Sequence, residues 1–354
     1  MTASRAAGRN GAEGSHAALG APRIASAGSG GVVAQQHPAI DRRLVENDEG
    51  AKVGPGGAGQ FQESLPLAEL RELVDRALEG ISFPVPDGAD RLEEAARYSL
   101  LAGGKRVRPI LALASAQACG LDPEKALPTA CALELLHTNS LIVDDLPAMD
   151  NHPKRRGRPT LHRVYGDDIA ILAGCALLSE AQRLVLEDQQ GSSQLRNRVL
   201  RVILDATGVA GMVSGQFLDV TGYRPDGQSD LERVQMLKTG SLIVASVRCG
   251  TLLAGGDVDR DFERFSASLG LLFQAVDDIL DETGKTRWLG KVPHSDRRAG
   301  KMTHVTMFGI QRAQETAEAL HEQCIASLVA IAEKVPGSTR PLHELADSVY
   351  RRER

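Results

Sequence analysis

Several features that would assign a function class are missing from this sequence. The formal net charge is −5, so the chain lacks the basic excess of a general nucleic-acid binder. No apolar run reaches the length of about 18 residues that suggests a transmembrane helix, and we expect no transmembrane segment. The five cysteines form no C-x-x-C pair, which indicates reduced thiols in a cytosolic or organellar protein.

Aromatic residues are also scarce, at 3% of the chain, whereas alanine and leucine are abundant. Apolar residues recur at helical spacing from about Leu65 onward, which predicts a first helical face through Leu67, Leu70 and Leu78. Further apolar segments are predicted at 127–143, 169–186, 195–212, 231–253 and 262–280. Glycine and proline separate them, and no strand-like alternation or hairpin turn signal is present. The pattern predicts an all-α helical bundle.

The first 60 residues differ from the rest, because they are rich in glycine and lack apolar periodicity. This composition predicts a disordered tail over 1–60 and a folded domain over 61–354. The tail also permits an organelle transit peptide, with a plain tail or a misassigned start codon as alternatives. We expect a cytoplasmic location, or a plastid or other organelle if the tail is a transit peptide.

Two aspartate clusters lie far apart in the chain, each next to an apolar run. Carboxylates in such surroundings repel one another and lose hydration, so a cation must neutralise them. Mg²⁺ fits best, since it binds through a few carboxylates, keeps waters and carries substrate phosphates. The clusters are Asp144, Asp145 and Asp150, and Asp277, Asp278 and Asp281.

Helical spacing places members of each cluster together. Asp277 and Asp281 are four residues apart and share one face with Gln274. In the first cluster, Pro147 ends the helix and lets Asp150 fold back toward Asp144.

Positive charge is concentrated in three segments, 103–109, 154–158 and 285–301. Each alone would be a solvated charge run, but two of them directly follow the aspartate clusters. Arginine side chains suit diphosphate oxygens, and glycines let the backbone approach them. His137 lies seven residues before Asp144 on the same helical face, so we favour an anion contact over a satisfied core histidine. The pattern as a whole predicts a diphosphate site.

The chain resembles a known family, the short-chain trans-prenyl diphosphate synthases of the geranylgeranyl and farnesyl kind. The likeness runs from about residue 65 to the C-terminus, and the motifs occur in the same order. It implies an all-α isoprenoid-synthase fold around a deep central cavity, as a homodimer. The matching motifs are Gly-Gly-Lys105-Arg-Val-Arg108-Pro, Leu-Leu-His137, Asp144-Asp145-Leu-Pro-Ala-Met-Asp150, Arg155-Arg156-Gly-Arg-Pro-Thr, Lys238-Thr239-Gly and Phe-Gln274-Ala-Val-Asp277-Asp278-Ile-Leu-Asp281.

The resemblance also implies roles for these residues. The six aspartates would hold about three Mg²⁺ ions against an allylic diphosphate, namely dimethylallyl, geranyl or farnesyl diphosphate. The same allylic substrate would contact Arg155, Lys238, Thr239 and Gln274. A second substrate, isopentenyl diphosphate, would bind Lys105, Arg108, His137 and Arg156. Lys291 and Lys301 would close over the diphosphates, and Lys238 would join the aspartates in catalysis.

The implied reaction is a Mg²⁺-dependent head-to-tail condensation. Val143 and Ser295 depart from the family pattern, and Ser295 stands where a lysine is common in the closing loop. A regulatory partner without activity would be expected to lose the aspartate clusters. A terpene cyclase would be expected to lose the second diphosphate site at Lys105, Arg108 and His137.

Product length is predicted from the helix that carries the first aspartate cluster. Asn139 and Ser140 lie ~6–7.5 Å along that helix from Asp144, beside the growing chain. Farnesyl-making relatives commonly carry an aromatic residue there, whereas both residues here are small. We therefore expect mainly geranylgeranyl diphosphate, with farnesyl diphosphate as the alternative if another helix closes the pocket.

Overall fold

The computed structural model describes residues 64–256, 259–284 and 300–351. These belong to one compact unit, Phe61–Arg354, and the predicted all-α fold is confirmed. The proposed tail lies outside the described residues, so the division of the chain at residue 60 stays a prediction. The helices are α1 Leu67–Glu79, α2 Asp90–Leu100, α3 Val107–Ala118, α4 Leu127–Asp145, α5 Leu161–Tyr165, α6 Asp167–Arg183, α7 Ser193–Thr207, α8 Met212–Val220, α9 Gln228–Gln235, α10 Ser241–Leu253, α11 Arg260–Thr283, α12 His304–Phe308, α13 Ile310–Ala332 and α14 Arg340–Tyr350.

The interior helices are apolar on most of their surface, as expected for helices surrounded by others. Helix α3 is buried at every residue from Val107 to Ala118. The turn that leads into α10 packs against α11 at two glycines, and a Cβ on Gly270 of α11 would lie 2.9 Å from the Cα of Gly240. Such close backbone approach is possible only without side chains. It brings the segment around residue 240 against the helix that carries the second aspartate cluster.

Helix α9 continues into α10 through a π-helical turn, Met236–Gly240. The polar residues Lys238 and Thr239 and the following Gly240 lie inside the apolar segment predicted over 231–253, and the structure shows a widened turn there rather than a break. Turns of this kind are frequent at functional sites. The prediction of a single segment over 195–212 is wrong, because α7 ends before Gly208 and α8 begins after Gly211.

A short hairpin follows α4 and was not predicted. Strands β1 Lys154–Arg155 and β2 Arg158–Pro159 pair antiparallel. The two turn residues, Arg156 and Gly157, both have positive φ, at 52° and 79°. Two-residue hairpin turns of this geometry usually carry Asn-Gly or Asp-Gly, so Arg-Gly gave no turn signal.

Within the described residues, three helical stretches are long and apolar enough, by length and composition, to cross a membrane. In Pro123–Asp145 and Gln228–Leu253, 61% of the apolar 18-residue stretch is buried inside the bundle. This burial accounts for the apolar composition of the two helical stretches. In Asp167–Asp188 that share is 44%, so much of its apolar surface faces outward. The expectation that no segment spans a membrane stays a prediction.

Candidate active site

A cavity of about 420 Å³ opens between α3, α4, α8, the π-helical turn, α11 and the hairpin. Its volume lies in the range of small-molecule sites, roughly 300–1,000 Å³. Residues predicted from separate motifs meet in its wall because the interior helices cross there. They are Lys105, Arg108, His137, Asn139, Ser140, Asp144, Arg155, Arg156, Lys238, Thr239, Gln274 and Asp277.

A second cavity of about 230 Å³ shares Asp144 and Asp277 with the first. Three further predicted residues, Asp150, Asp278 and Lys301, line this second cavity but not the first. The structure therefore brings together members of both aspartate clusters, which are more than 100 positions apart in the sequence.

Two of the predicted aspartates lie elsewhere. Asp281 is buried and lines neither cavity. Asp145 lines a narrow cleft beside the hairpin. Lys291 and Ser295 lie outside the described residues.

The first cluster has the geometry expected from Pro147. Helix α4 ends at Asp145, and Leu146 is extended, as is usual for a residue before proline. The chain then turns back, and the backbone N–H of Asp150 donates to the carbonyl of Asp144 at 2.9 Å. The predicted return of Asp150 toward Asp144 is confirmed at the backbone.

The carboxyl group of Asp144 is incompletely neutralised. Burial raises its pKa to about 6, and the nearby Lys238 ammonium only partly opposes that rise. A buried carboxylate with a raised pKa favours a cation beside it.

Two lysines occupy the space between the clusters. Lys238 Nζ lies 2.5 Å from Asp219 Oδ2, and Lys301 Nζ lies 3.3 Å from both Asp150 and Asp219. Burial alone would raise the pKa of Asp219, but the two ammonium groups outweigh it and hold that pKa below its ordinary value. Asp219 thus ties Lys301 to the turn that carries Lys238.

In the part of the chain that the structure describes, no three histidine, cysteine or acidic side chains are close enough to hold a metal ion. Mg²⁺ does not need such a cage, since it binds through one or two carboxylates and completes its shell with waters and phosphates. Asp144, Asp150 and Asp277 offer hard oxygen ligands around connected cavities. The residues present fit Mg²⁺.

Asp145 and Arg155 form a close pair. Arg155 donates to the Asp145 carboxylate from Nη2 at 2.5 Å and from Nε at 3.1 Å. His152 Nδ1 lies 3.4 Å from the same carboxylate. Burial would lower the pKa of Arg155, but the hydrogen bonds that Arg155 donates to the Asp145 carboxylate outweigh it and raise that pKa. The Asp145 carboxylate is therefore paired with Arg155, and it lines neither of the two cavities.

Gln274 is also engaged. Its Oε1 accepts from Thr239 Oγ1 at 3.0 Å, and its Nε2 donates to Asp278 Oδ1 at 2.8 Å. The bond from Thr239 ties the π-helical turn to α11, and the bond to Asp278 fixes the Gln274 side chain within α11. Gln216 lies in the wall nearby, and its amide has no hydrogen-bond partner among the described residues.

The other end of the large cavity is lined by buried cations. Burial lowers the pKa of Arg108 to about 10, so the guanidinium remains charged at neutral pH. Arg108 Nε and Arg156 Nη1 have no hydrogen-bond partner within the described ranges. Buried donors of this kind need an acceptor, and a charged one binds most strongly.

His137 lies in the same part of the wall. Burial holds its pKa well below the ordinary value, and the charges of Arg108 and Arg156 lower that pKa further. The imidazole is therefore neutral at physiological pH and can donate one hydrogen bond to an anion. Lys105 lines the same region. Together these groups form a site for a second anion.

Two residues of this region were given no role from the sequence, Glu134 and Arg106, although Arg106 lies in the predicted basic segment 103–109. Arg106 Nη1 lies 2.7 Å from Glu134 Oε1, and Arg156 Nη2 lies 3.4 Å from the same oxygen. The available signal was Glu134 itself, an acidic residue in an apolar helix, three positions before His137. Like the aspartates, a glutamate in apolar surroundings needs a cation to neutralise it.

Comparisons with known proteins agree with this arrangement. Residues 89–335, more than half of the chain, match the family described as polyprenyl synthetase. The chain is 40% identical over 298 residues to geranylgeranyl pyrophosphate synthase 3, chloroplastic, of Arabidopsis thaliana, covering 82% of this chain and 81% of the relative. It is 42% identical over 294 residues to a dimethylallyltranstransferase of Fischerella ambigua, covering 81% and 82%.

A solved structure shows the same likeness. A geranyltransferase of Helicobacter pylori, complexed with magnesium and isoprenyl diphosphate, has a TM-score of 0.73 and 28% sequence identity to this chain. The similarity covers 80% of this chain and 96% of that protein. The family match includes every described residue of the two cavities, and the chain therefore belongs to the polyprenyl synthetase family.

Proposed function

We propose that this protein catalyses the Mg²⁺-dependent head-to-tail condensation of isopentenyl diphosphate with an allylic diphosphate, with geranylgeranyl diphosphate as the main product. The observation that carries the proposal is one cavity with two different anion sites. One site is walled by carboxylates and lysines, and the other by buried arginines and a neutral histidine. The names of the relatives, a geranylgeranyl pyrophosphate synthase and a dimethylallyltranstransferase, support it.

The carboxylate end suits the allylic diphosphate. Asp144, Asp150 and Asp277 would hold Mg²⁺, and we propose about three ions at this part of the cavity. When bound, Mg²⁺ stabilises negative charge on the departing diphosphate. Lys238 and Lys301 lie at the same end and supply further positive charge to the diphosphate oxygens.

The chemistry then needs no protein base. The allylic C–O bond breaks, and the diphosphate leaves with the electron pair. The double bond of isopentenyl diphosphate attacks the resulting carbocation and forms the new C–C bond. A proton is lost from the adjacent carbon to the released diphosphate, which restores a double bond. The protein contributes by orienting the substrates and stabilising the leaving group.

The arginine end suits isopentenyl diphosphate. Arg108 and Arg156 present buried donors, Lys105 lies at the rim and His137 donates as a neutral group. These residues line the same cavity as Asp144, so both substrates would bind within one cavity. This second anion site is the feature that distinguishes a condensing enzyme from a cyclase.

The apolar side of the cavity suits a growing prenyl chain. Met212, Val213 and Phe273 line it together with Asn139 and Ser140. Both predicted chain-length residues are thus at the wall, and both are small. These positions support the longer product, geranylgeranyl diphosphate, with farnesyl diphosphate as the alternative.

The test is to incubate the purified protein with isopentenyl and dimethylallyl diphosphates, with and without Mg²⁺. We expect a prenyl diphosphate product in the presence of Mg²⁺. Asp277→Ala should lower kcat about 10²–10³-fold, as for the loss of a strong electrostatic stabiliser. The exposed Asp205 on α7 gives a matched control, and Asp205→Ala should keep wild-type turnover. Absence of Mg²⁺-dependent product would overturn the proposal, and a hydrocarbon product would indicate a cyclase.

We further propose that the enzyme is a homodimer. Exposed apolar side chains lie on the outer side of the bundle, on consecutive helices α6 and α7. These side chains are between 36% and 54% exposed, and exposed apolar side chains of this size can mark a protein–protein contact. A second copy of the chain, related by a two-fold axis, covers the same patch on both subunits. The residues are Ile171, Leu172 and Leu178 on α6 and Leu204 on α7.

The location depends on the N-terminal 60 residues. We propose a cytoplasmic enzyme, with a plastid or another organelle as the alternative if these residues are a transit peptide. One similar protein carries the word chloroplastic in its name, which supports the alternative. N-terminal sequencing of the native protein separates the two, because cleavage near residue 60 indicates a transit peptide and an intact start does not.

A further inference from the structure

Glu134 is a buried carboxylate at the arginine end of the cavity, with a side chain only 1% exposed. One of its oxygens, Oε1, lies 2.7 Å from Arg106 Nη1 and 3.4 Å from Arg156 Nη2. Glu134 therefore joins two segments that are distant in sequence, the start of α3 and the hairpin after α4.

Both arginines stand in backbone conformations that side chains disfavour. Arg106 and Arg156 each have φ of 52°, and they are two of the three non-glycine residues with positive φ in the described ranges. A left-handed conformation is unfavourable for such residues and persists only where surrounding contacts hold it. The contact that these two residues share is Glu134.

Each of the two strained turns carries cations of the second anion site. Arg106 is the residue immediately before α3 and lies between Lys105 and Val107, so its position fixes both Lys105 and Arg108. Arg156 belongs to the hairpin turn that follows Arg155. The Arg156 guanidinium lies directly on Gly104, where an added Cβ would be 2.8 Å from Arg156 Cζ. The two turns therefore contact each other directly, and both contact Glu134.

We propose that Glu134 is a positioning residue for isopentenyl diphosphate. Its carboxylate holds the two left-handed turns together, so that Lys105, Arg108 and Arg156 face the bound diphosphate. This inference rests on the proposed function for the identity of the ligand. Arg106 has further bonds to Asp75 Oδ1 at 2.8 Å and to the Leu100 carbonyl at 3.1 Å, so the start of α3 stays attached to the fold when Glu134 is changed.

The test is the affinity for isopentenyl diphosphate, measured by calorimetry without Mg²⁺ or an allylic substrate, in wild type and Glu134→Gln. We expect the dissociation constant to rise about tenfold or more, because the neutral amide cannot hold both guanidinium groups and each lost charged hydrogen bond weakens the site. Simple electrostatics predicts the opposite sign, since removing a negative charge would strengthen anion binding. An unchanged or lower dissociation constant overturns the inference.

A purely structural role predicts a different result. Binding of dimethylallyl diphosphate with Mg²⁺, at the carboxylate end, should stay within about twofold of wild type. If it weakens as much as isopentenyl diphosphate binding, Glu134 only maintains the fold and the inference is overturned. Glu134→Asp keeps the charge but shortens the reach, and it should also weaken isopentenyl diphosphate binding. It serves as the second variant if Glu134→Gln does not fold.

Glu180 provides a matched control, because it is a buried glutamate paired with an arginine, Arg183, at 2.5 Å and lines none of the described cavities. Glu180→Gln should leave the dissociation constant for isopentenyl diphosphate unchanged. Binding is measured without turnover, so the two proposals can fail separately. A wild-type protein that binds isopentenyl diphosphate but forms no prenyl product would overturn the proposed reaction and leave the role of Glu134 standing.

Discussion

At the scale of single residues, Asp144 links the chemistry of the site to the stability of the fold. Burial raises its pKa from 3.8 to about 6. A group whose pKa is raised on folding stabilises the folded state fully below its ordinary pKa, and this contribution is lost as pH rises through the raised value. A shift of about 2 units corresponds to at most about 3 kcal/mol. The metal-free protein should therefore lose stability between about pH 4 and pH 7 because Asp144 ionises.

The prediction is tested by the free energy of unfolding of wild type and Asp144→Asn in a chelating buffer at pH 4 and pH 7. The asparagine cannot ionise, so its stability should fall less over this interval, by up to about 3 kcal/mol. Mg²⁺ at pH 7 should restore the stability of wild type more than that of the variant, since it binds the ionised carboxylate. If the free energy of unfolding depends on pH equally in the two proteins, ionisation of Asp144 does not destabilise the folded state.

Residue identity was predictable where the chemistry alone demanded it. Clustered aspartates in apolar surroundings require a cation whatever the fold, and Asp144 and Asp277 do meet at one cavity. The partners of Asp145 and Gln274 were not predictable. Asp145 pairs with Arg155, which reaches it through the unpredicted hairpin, and Gln274 bonds to Thr239 across two helices. Such pairings depend on tertiary contacts that spacing along the chain does not encode.

At the scale of elements, the placement of α8 depends on Gly215. Its Cα faces the π-helical turn so closely that an added Cβ would lie 2.5 Å from the Cα of Lys238. Backbone cannot move aside as a flexible side chain can, so a methyl group must push α8 away from the turn. That turn carries Lys238 and Thr239, and α8 carries Asp219, which pairs with Lys238.

We therefore expect Gly215→Ala to lower the free energy of unfolding by about 1–3 kcal/mol. It should also lower kcat, because it separates Asp219 from Lys238. Gly80 is a suitable control, since a Cβ there meets its nearest neighbour at an ordinary 3.5 Å. Gly80→Ala should change neither stability nor turnover appreciably. Wild-type activity in Gly215→Ala would show that α8 does not set the position of Lys238.

Helix α4 gives a prediction of product length. Asn139 Oδ1 lies against Gly174 of α6, where an added Cβ would be only 2.8 Å away. A larger side chain at position 139 has no room on that side and must extend into the cavity, which Asn139 already lines. Asn139→Tyr should therefore shift the main product from geranylgeranyl to farnesyl diphosphate.

Chromatography of the dephosphorylated products measures the shift. Asn197, exposed on α7, provides the matched control, and Asn197→Tyr should leave the product unchanged. If wild type already makes farnesyl diphosphate, or if Asn139→Tyr leaves the product unaltered, chain length is controlled by another wall of the cavity.

Elements were predictable where their apolar periodicity ran uninterrupted. Helix α4, predicted over 127–143, forms over Leu127–Asp145. The hairpin was missed because its turn uses Arg156 with positive φ, a conformation that Glu134 holds from outside the hairpin. The π-helical turn was only partly predicted, since a polar interruption at Lys238 indicates a change but does not distinguish a bulge from a break.

At the scale of the whole molecule, the bundle class followed from composition, because few aromatics and many small apolar residues suit close helix packing. The contact of the π-helical turn with α11 at Gly240 and Gly270 did not follow from composition. Either glycine alone predicts a turn or a weak helix. Their contact depends on the packing of the two segments in the folded protein. That contact brings Lys238 and Thr239 against the helix that carries the second aspartate cluster.

The outer surface leads to the last prediction. Leu172 on α6 is 54% exposed, and Ile171 and Leu178 on the same helix are 50% and 36% exposed. If a second copy covers this patch, wild type should sediment at twice the chain mass of 37.8 kDa. Leu172→Glu places one buried charge in each copy of the interface and should give a monomer, because a carboxylate without a partner is costly to bury. Val329→Glu, at an isolated residue of equal exposure on α13, should remain a dimer. A monomeric wild type would contradict the proposed dimer. A Leu172→Glu variant that stays dimeric would show that a second copy does not cover this surface.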